Sequence, residues 1–493
     1  MSSHDDPGPR GQPATPGGPA AAQAPAAPGG DPSDAAARLR DPAYVRLLVV
    51  AAILGVPVSA AAYGFLALVS YLQKELFTHL PHGLGFATAP AWWPVPMLLV
   101  GGVLTGLAIR YLPGGGGVSP AGGFAMHAPP GAAQLPGVIA AALATLAFGA
   151  VLGPEMPLIA LGGGLAVLAT KLARRRKVPE QGVRVIGSAG SFAAISTLFG
   201  SPIPSAFLLM EASGLGGPMM GLVLVPGLVA SGIGALIFVG LDSLTGLGTF
   251  ALALPGLPHF SRPNVAEFGW ALVIGLAAAV IGPAIHRLGL FLHGYAVKWP
   301  LLMAPLAGLV VALLAMAFTE ATGKPVSDVL FSGQDALGPL VAQAGSYSVG
   351  ALVLLLACKG LAYGVSLSSL RGGPIFPALF MGAAGGIALS HLPGLPLVAG
   401  VAMGIGAMSV VMLTLPLTSV LLAVLVLSSD AAALTPLVIV AVAVAYVAAA
   451  RFTPRPATAA PAQPGAQAPP RQARRHLPAR SPEQAGPDPG RAT

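Results

Sequence analysis

The sequence predicts an all-α polytopic membrane protein built from two repeats whose helices are broken at matching positions. Three observations predict it. Only 9% of the 493 residues are charged while 55% are hydrophobic, with a mean hydropathy of +0.78, against about 25% charged in a soluble globule. Long apolar runs alternate with shorter ones interrupted by Gly and Pro. A G-P-x-x-P-x-x-x-x-G pattern occurs twice, from Gly153 to Gly162 and from Gly373 to Gly382.

The long runs lie near 44–72, 94–110, 132–152, 219–240, 266–288, 300–318, 348–366 and 431–450, each about the 20 residues that cross roughly 30 Å of hydrocarbon. Shorter ones lie near 155–170, 184–198, 203–212, 374–390, 396–412 and 416–428. Interrupted helices at membrane depth are tolerated only when buried in protein or lining a wet cavity, so these are expected inside the molecule.

The formal net charge of +8 does not point to nucleic acid, because Lys and Arg gather in loops and in the C-terminal tail, the pattern of cytoplasmic segments. The run Lys171, Arg174, Arg175, Arg176 and Lys177 is placed inside, as is the tail with Arg471, Arg474, Arg475 and Arg480. Residues 1–41 are rich in Pro, Ala and Gly and carry no apolar signal segment. The expected organisation is a disordered cytoplasmic tail over 1–41, a transmembrane domain over 42–452 with repeats near 42–240 and 266–452, and a disordered basic tail over 453–493. A multi-pass plasma-membrane protein with both termini cytoplasmic follows.

Glu155 is the most informative residue, a carboxylate set in the apolar stretch Val151–Leu158 where a Gly-Pro pair ends one helix and starts another. A charge at membrane depth costs a few kcal/mol or more and is kept where it meets a cavity, a partner or an ion path. The two copies of the pattern align at an offset of 373 − 153 = 220, and Ser201-Pro202-Ile203-Pro204-Ser205 has a looser counterpart in Leu415-Pro416-Leu417-Thr418-Ser419. Paired broken helices in two repeats mark a substrate site near the midplane, where helix N-termini offer unpaired N–H groups and the positive end of the dipole to an anion. Two bland readings stand beside this one: with 66 Gly and 50 Pro the repeat could be coincidence, and Glu155 could be only a dipole-stabilised first-turn carboxylate.

Over roughly residues 45–452 the chain resembles the CLC family of chloride channels and proton-coupled chloride transporters. Gly114-Gly115-Gly116-Gly117-Val118-Ser119-Pro120 is similar to its G-S-G-I-P loop, Gly153-Pro154-Glu155-Met156-Pro157 to its G-R/K-E-G-P, Gly372-Gly373-Pro374-Ile375-Phe376-Pro377 to its G-G-x-F-x-P, and the segment from Phe199-Gly200-Ser201-Pro202 to Glu211 to its F-N-A-P-L-x-G-x-L-F-x-x-E-E. The resemblance implies an inverted-topology repeat with broken helices, a homodimer with one pore per subunit, and Glu155 as a gating glutamate that occupies an anion site and swings away on protonation or displacement. The anion-binding positions it implies are Gly115, Gly116, Gly117, Ser119, Pro154, Met156, Ile375 and Phe376, with Glu211 on a proton path.

The departures are specific. The family's first-motif serine falls on Gly116, leaving backbone N–H groups unless Ser119 substitutes; the basic residue before the gate is Pro154 and the glycine after it Met156. Without gaps, the amide donors of the third motif fall on Pro374 and Ile375, and Pro has no N–H; a shift by one places them on Ile375 and Phe376. The family's late tyrosine has no match, since the chain there reads Arg455-Pro456-Ala457-Thr458. The family's paired glutamates become Glu211-Ala212, and loss of the second, the internal proton acceptor of coupled exchangers, tilts the reading toward a passive channel or an uncoupled carrier. Glu211 could equally be a helix-end residue.

Lys359, inside the apolar run 351–362, needs a carboxylate, carbonyls or a snorkelling route, and either it or Arg371 could draw anions. A single cysteine, Cys358, excludes a disulfide framework and multi-Cys metal sites and reads as apolar packing. His127 has no ligand-spaced partner, and no cofactor or metal is expected. Trp92, Trp93 and Tyr111 read as interfacial belt residues, and Gly214, Gly216, Gly217 and Gly221 as close-packing positions for a dimer contact or for internal packing.

The expected function is selective anion permeation through the bilayer, chloride first, with protonation of Glu155 coupled to conduction. The alternatives are a proton-coupled antiporter, an exporter of fluoride or another small anion, and an intramembrane serine hydrolase suggested only by Ala212-Ser213-Gly214. The last lacks a well-placed His, and the chain has neither HExxH nor GxSxG, so no enzymatic activity is expected.

Overall fold

With no water at membrane depth to satisfy the backbone, each spanning segment must bond to itself, and most of the apolar segments of the described chain are helical. The computed structural model describes residues 40–172, 180–214, 218–246, 259–260, 262–427 and 431–452. Residues 1–39 of the expected N-terminal tail, the whole expected C-terminal tail 453–493, the basic run Arg174–Lys177 and the glycines Gly216 and Gly217 lie outside the described residues.

The first repeat runs α1 Pro42–Lys74, continued by a π-helical turn at Glu75–His79, then α2 Pro94–Tyr111, α3 Leu135–Leu146, α4 Glu155–Leu172, α5 Glu180–Phe199, α6 Pro202–Ser213 and α7 Pro218–Thr245. The second runs α8 Val265–Lys298, α9 Pro300–Thr322, α10 Gln334–Ala342, α11 Val349–Ser369, α12 Ile375–Ser390, α13 Leu397–Leu413, α14 Pro416–Leu427 and α15 Ala431–Phe452. Sequence order and the repeated motifs pair α4 with α12, α5 with α13, α6 with α14 and α7 with α15. Proline sits in the first turn of α1, α2, α3, α6 and α9, where its missing N–H would be unbonded anyway.

Among the described residues nine helices are long and apolar enough to cross a membrane, and they differ from the expected set in three places. The run at 132–152 is one short helix of 12 residues, α3: Gly149 takes a left-handed φ of 101°, and the chain then runs to Gly153 without helix. Conversely, α4 and the segment Gly182–Phe199 each reach 18 residues; in α4, Gly162, Gly163 and Gly164 stay inside the helix. Trp93, expected at an interface, is 3% exposed and donates its indole N–H to the Leu76 carbonyl at 2.9 Å, whereas Trp92 and Tyr111 are exposed. Gly214 is the left-handed cap of α6.

The core lies along α12 and α13, whose residues are buried over most of their length. Glycine makes their approach possible. A Cβ on Gly382 of α12 would overlap the Gly404 carbonyl of α13 and stand 2.8 Å from the Ile405 Cα. Gly162, its counterpart at the offset of 220, does the same in the first repeat: a Cβ there would overlap the Gly190 carbonyl of α5 and stand 2.6 Å from the Ala194 Cβ. The repeated pattern therefore carries, in its last glycine, the crossing point of each repeat's helix pair.

Lys359 of α11 is fully buried and donates to the carbonyls of Asp328, Val329 and Leu330 at 2.9, 3.1 and 3.2 Å, under the Phe380 ring. Its partners are carbonyls, and it does not snorkel. The Asp328 side chain accepts from the Tyr347 hydroxyl at 2.7 Å; burial pushes that carboxyl above its usual range, opposed by the same hydroxyl.

Gly382→Ala should lower stability in detergent by about 1–3 kcal/mol through overpacking. Gly385→Ala on the same helix, where a Cβ meets nothing within 4 Å, should be neutral or add roughly 0.5–1 kcal/mol. Thermal melts of the two purified variants check the contrast, and equal melting temperatures would contradict the crossing-point assignment.

Candidate functional site

The site forms where the two repeats meet. Gly153 and Gly373 exchange backbone hydrogen bonds, Gly153 N–H to the Gly373 carbonyl at 2.8 Å and Gly373 N–H to the Gly153 carbonyl at 2.6 Å. This antiparallel pair relates the start of α4 to the start of α12 by local two-fold symmetry, as an inverted repeat requires. With Glu155 in this position both residues need to be glycine, since a Cβ on either would fall on its carboxylate.

Glu155 is the first residue of α4 and is 0% exposed. Its Oε1 accepts the Phe376 N–H at 2.9 Å, from the first turn of α12, and its Oε2 has no hydrogen-bond partner. The amides of Ile375 and of Glu155 itself also act on the carboxylate. A negative group therefore lies at the N-terminal ends of two helices, the location that favours an anion. Pro374 caps α12 and has no N–H to offer, so the donors are Ile375 and Phe376, one residue on from the gap-free alignment.

Two cavities flank Glu155, and it lines neither. The smaller, about 50 Å³, is bordered by Pro154, Gln73, Ser332 and Asp335 near the end of α1. The larger, about 390 Å³, is bordered by Met156, Gly114, Gly116, Gly117 and Arg371 just beyond the end of α2. Pro154, the residue before Glu155, borders the first and Met156, the residue after it, borders the second.

The four glycines Gly114–Gly117 all have positive φ, from 58° to 89°, a run only glycine adopts readily. Gly116 and Gly117 face the larger cavity, whereas Gly115 is absent from its wall and its carbonyl accepts from Arg371 Nη2 at 3.4 Å. Ser119 does not line the cavity: its Oγ caps the Ala121 N–H and lies 3.3 Å from His293 Nδ1. Glu211 is held elsewhere, accepting from the N–H groups of Leu417 and Thr418 and from the Thr418 hydroxyl at 3.0, 2.8 and 2.6 Å. It caps α14 of the second repeat from the end of α6. Ala212 packs against the apolar core, and among the described residues no group of three His, Cys, Asp or Glu is arranged to hold a metal.

Tyr363 and Ser366 join the site through bonds that sequence alone does not reveal. The buried Tyr363 hydroxyl donates to the Pro374 carbonyl at 2.6 Å, fixing the turn that aims α12 at Glu155, and Ser366 Oγ accepts from the Val151 N–H at 3.3 Å. One face of α11 thus braces both motifs. The available signal was the polar residues gathered in the second half of an apolar helix, since a buried Tyr hydroxyl usually has a partner.

Comparison with known proteins identifies the family and the fold. The family model described as voltage gated chloride channel matches residues 101–450. The chain is 31% identical over 349 residues to the candidate ion-transport protein YfeO of Salmonella choleraesuis strain SC-B67, covering 69% of this chain and 79% of that one. Against YfeO of Escherichia coli O7:K1 it is 32% identical over 356 residues, covering 69% and 77%. Among solved structures the fold is shared with a slow cyanobacterial Cl⁻/H⁺ antiporter, at a TM-score of 0.67, 19% identity and coverage of 83% of this chain and 96% of that one. It is also shared with a CLC-type fluoride/proton antiporter, at 0.60, 18%, 83% and 96%.

Gly373→Ala should destabilise the fold by about 1–3 kcal/mol, because the new methyl overlaps Glu155. Combined with Glu155→Ala, which removes all but a Cβ standing 3.0 Å away, much of the loss should return as a coupling of roughly 1 kcal/mol or more. Melting curves of the four proteins in the cycle measure this. Strict additivity would show that the two groups do not share that space.

Proposed function

The chain belongs to the voltage-gated chloride channel family, the CLC family of anion transporters, and from that premise we propose that it carries a small inorganic anion, chloride first, with Glu155 as its protonatable gate. The observation that carries the reading is the buried Glu155 carboxylate, its chain neighbours Pro154 and Met156 each bordering a cavity, with one oxygen on the Phe376 amide and the other unpartnered. An anion seeking the same helix N-termini must displace that carboxylate. Protonation removes the competing charge, so acidification favours the anion. Ile375 and Phe376 supply amides, Gly116 and Gly117 wall the approach from the larger cavity, and Pro154 and Met156 set the two sides of the gate.

Proton-coupled antiport is the second reading, because the group that yields to the anion is itself a proton carrier, and the solved neighbours at similar fold are described as Cl⁻/H⁺ and fluoride/proton antiporters. Against it stand Ala212 and the engagement of Glu211 by the first turn of α14, which leaves Glu211 a cap. We further read residues 42–452 as the transport domain of a homodimer in the plasma membrane, with cytoplasmic flanking segments.

Purified protein in liposomes, with chloride efflux followed by electrode and external pH recorded together, tests both readings. Chloride efflux that rises on acidification, with Glu155→Gln conducting at a rate independent of pH, is the expected result. Glu155→Gln retaining the full pH response would remove Glu155 from the gate. Uphill proton movement driven by a chloride gradient would establish antiport.

A further inference from the structure

The outer side of α2 carries a groove that the Glu155 site does not use. It measures about 500 Å³ and is bordered by Leu72 of α1, by Leu104, Leu107 and Tyr111 of α2, and by Ala140 and Leu143 of α3. No charged residue borders it, and the Tyr111 hydroxyl is the one polar side-chain group on its wall. Leu104, Leu107 and Tyr111 are exposed on a helix long and apolar enough to cross a membrane, so the groove opens on a side that meets hydrocarbon. Helix α3 presents Val138 and Ala142 to the larger cavity instead, which puts groove and cavity on opposite faces of one helix.

A cation stands at one end of this groove. The Arg110 guanidinium lies over the Tyr111 ring, 5.7 Å from its centroid, and that ring is part of the groove wall. Arg110 is exposed, and among the described residues the one ion pair joins His79 and Glu75, so its charge has no carboxylate partner. A cation in the last turn of α2 suits the helix dipole, yet the dipole does not account for the apolar groove beside it. Helix α2 crosses α9 at Gly106, where a Cβ would stand 3.0 Å from the Pro300 carbonyl, and this places the exposed Lys298 and Trp299 at the Arg110 end of α2. Exposed aromatic and basic residues at one level mark a membrane–water boundary.

Bilayer tails are as apolar as the groove, so a tail gains shape fit there and little else. Discrimination between lipids then falls to the charge at the groove's end, where an anionic headgroup gains from a nearby Arg and the ammonium of a zwitterionic one is opposed by it. At about 500 Å³ the groove has the volume of roughly sixteen waters, and a methylene is of similar size, so one acyl chain fits. The chain's own C-terminal segment, with Arg471, Arg474, Arg475 and Arg480, would bring like charge to Arg110. We propose that this groove is a site for one anionic phospholipid, its acyl chain between α2 and α3 and its phosphate on Arg110. The site is independent of the permeation reading above.

The full chain in nanodiscs of phosphatidylcholine, doped with a phosphatidylglycerol or a phosphatidylcholine that carries a photoactivated diazirine in its acyl chain, tests the site through the peptides labelled. The phosphatidylglycerol probe should label residues 104–112 and 140–144 about fivefold more than the phosphatidylcholine probe. Arg110→Gln should bring the two probes to equality, while Arg451→Gln, which removes an exposed arginine at the end of α15, should leave the preference intact. Equal labelling of the wild type, a preference that survives Arg110→Gln, or an equal loss in Arg451→Gln would overturn the inference. Excess soluble glycerol phosphate that erases the preference would assign the charge to a free phosphate, and chain-to-chain crosslinks at these residues with no label from either probe would assign the face to a second copy; either result also overturns it.

Discussion

The reciprocal hydrogen bonds between Gly153 and Gly373 are the constraint on which the rest of the site depends. They join the two repeats at the starts of α4 and α12, and so bring two helix N-termini to one point. Because neither residue has a side chain, the space beside the bridge is free, and the Glu155 carboxylate fills it. Shifting either strand of the bridge by one residue would place Pro154 or Pro374, which lack an N–H, in the pairing.

An anion site built this way uses partial charges at its centre and places the full positive charges elsewhere. Phe376 and Ile375 offer amides to Glu155, while Lys359 is occupied by three carbonyls and Arg371 stands at the wall of the larger cavity. A full cation at the centre would hold an anion too firmly to release it, whereas helix termini bind within a few kcal/mol or less. Helix α11 sets this division, since Lys359, Tyr363 and Ser366 lie on it and each bonds to a different connecting segment.

Much of this was legible in the sequence because the repeat is written in residues with strong backbone consequences. The G-P-x-x-P-x-x-x-x-G pattern encodes a bridge glycine, a helix start and a helix crossing, and all three appear at both copies. What escaped notice depended on partners distant in the chain. Apolarity alone made 132–152 one long span, because nothing in a hydropathy average registers the left-handed turn at Gly149. Trp93 looked interfacial until the Leu76 carbonyl supplied its indole with a buried partner. Tyr363 and Ser366 were invisible as site residues because their roles come from bonds to Pro374 and Val151. Ser119 and Glu211 have the chemistry of site residues, and in the fold their side chains bond at Ala121 and at the first turn of α14.

The central claim is that the Glu155 carboxylate occupies an anion's place. Crystals of Glu155→Gln grown in bromide test it most directly through anomalous scattering. The account predicts a bromide peak within hydrogen-bonding distance of the Phe376 amide, beside the Gly153–Gly373 bridge. An ordered bromide elsewhere, with that amide bonded only to the glutamine side chain at saturating bromide, would contradict it.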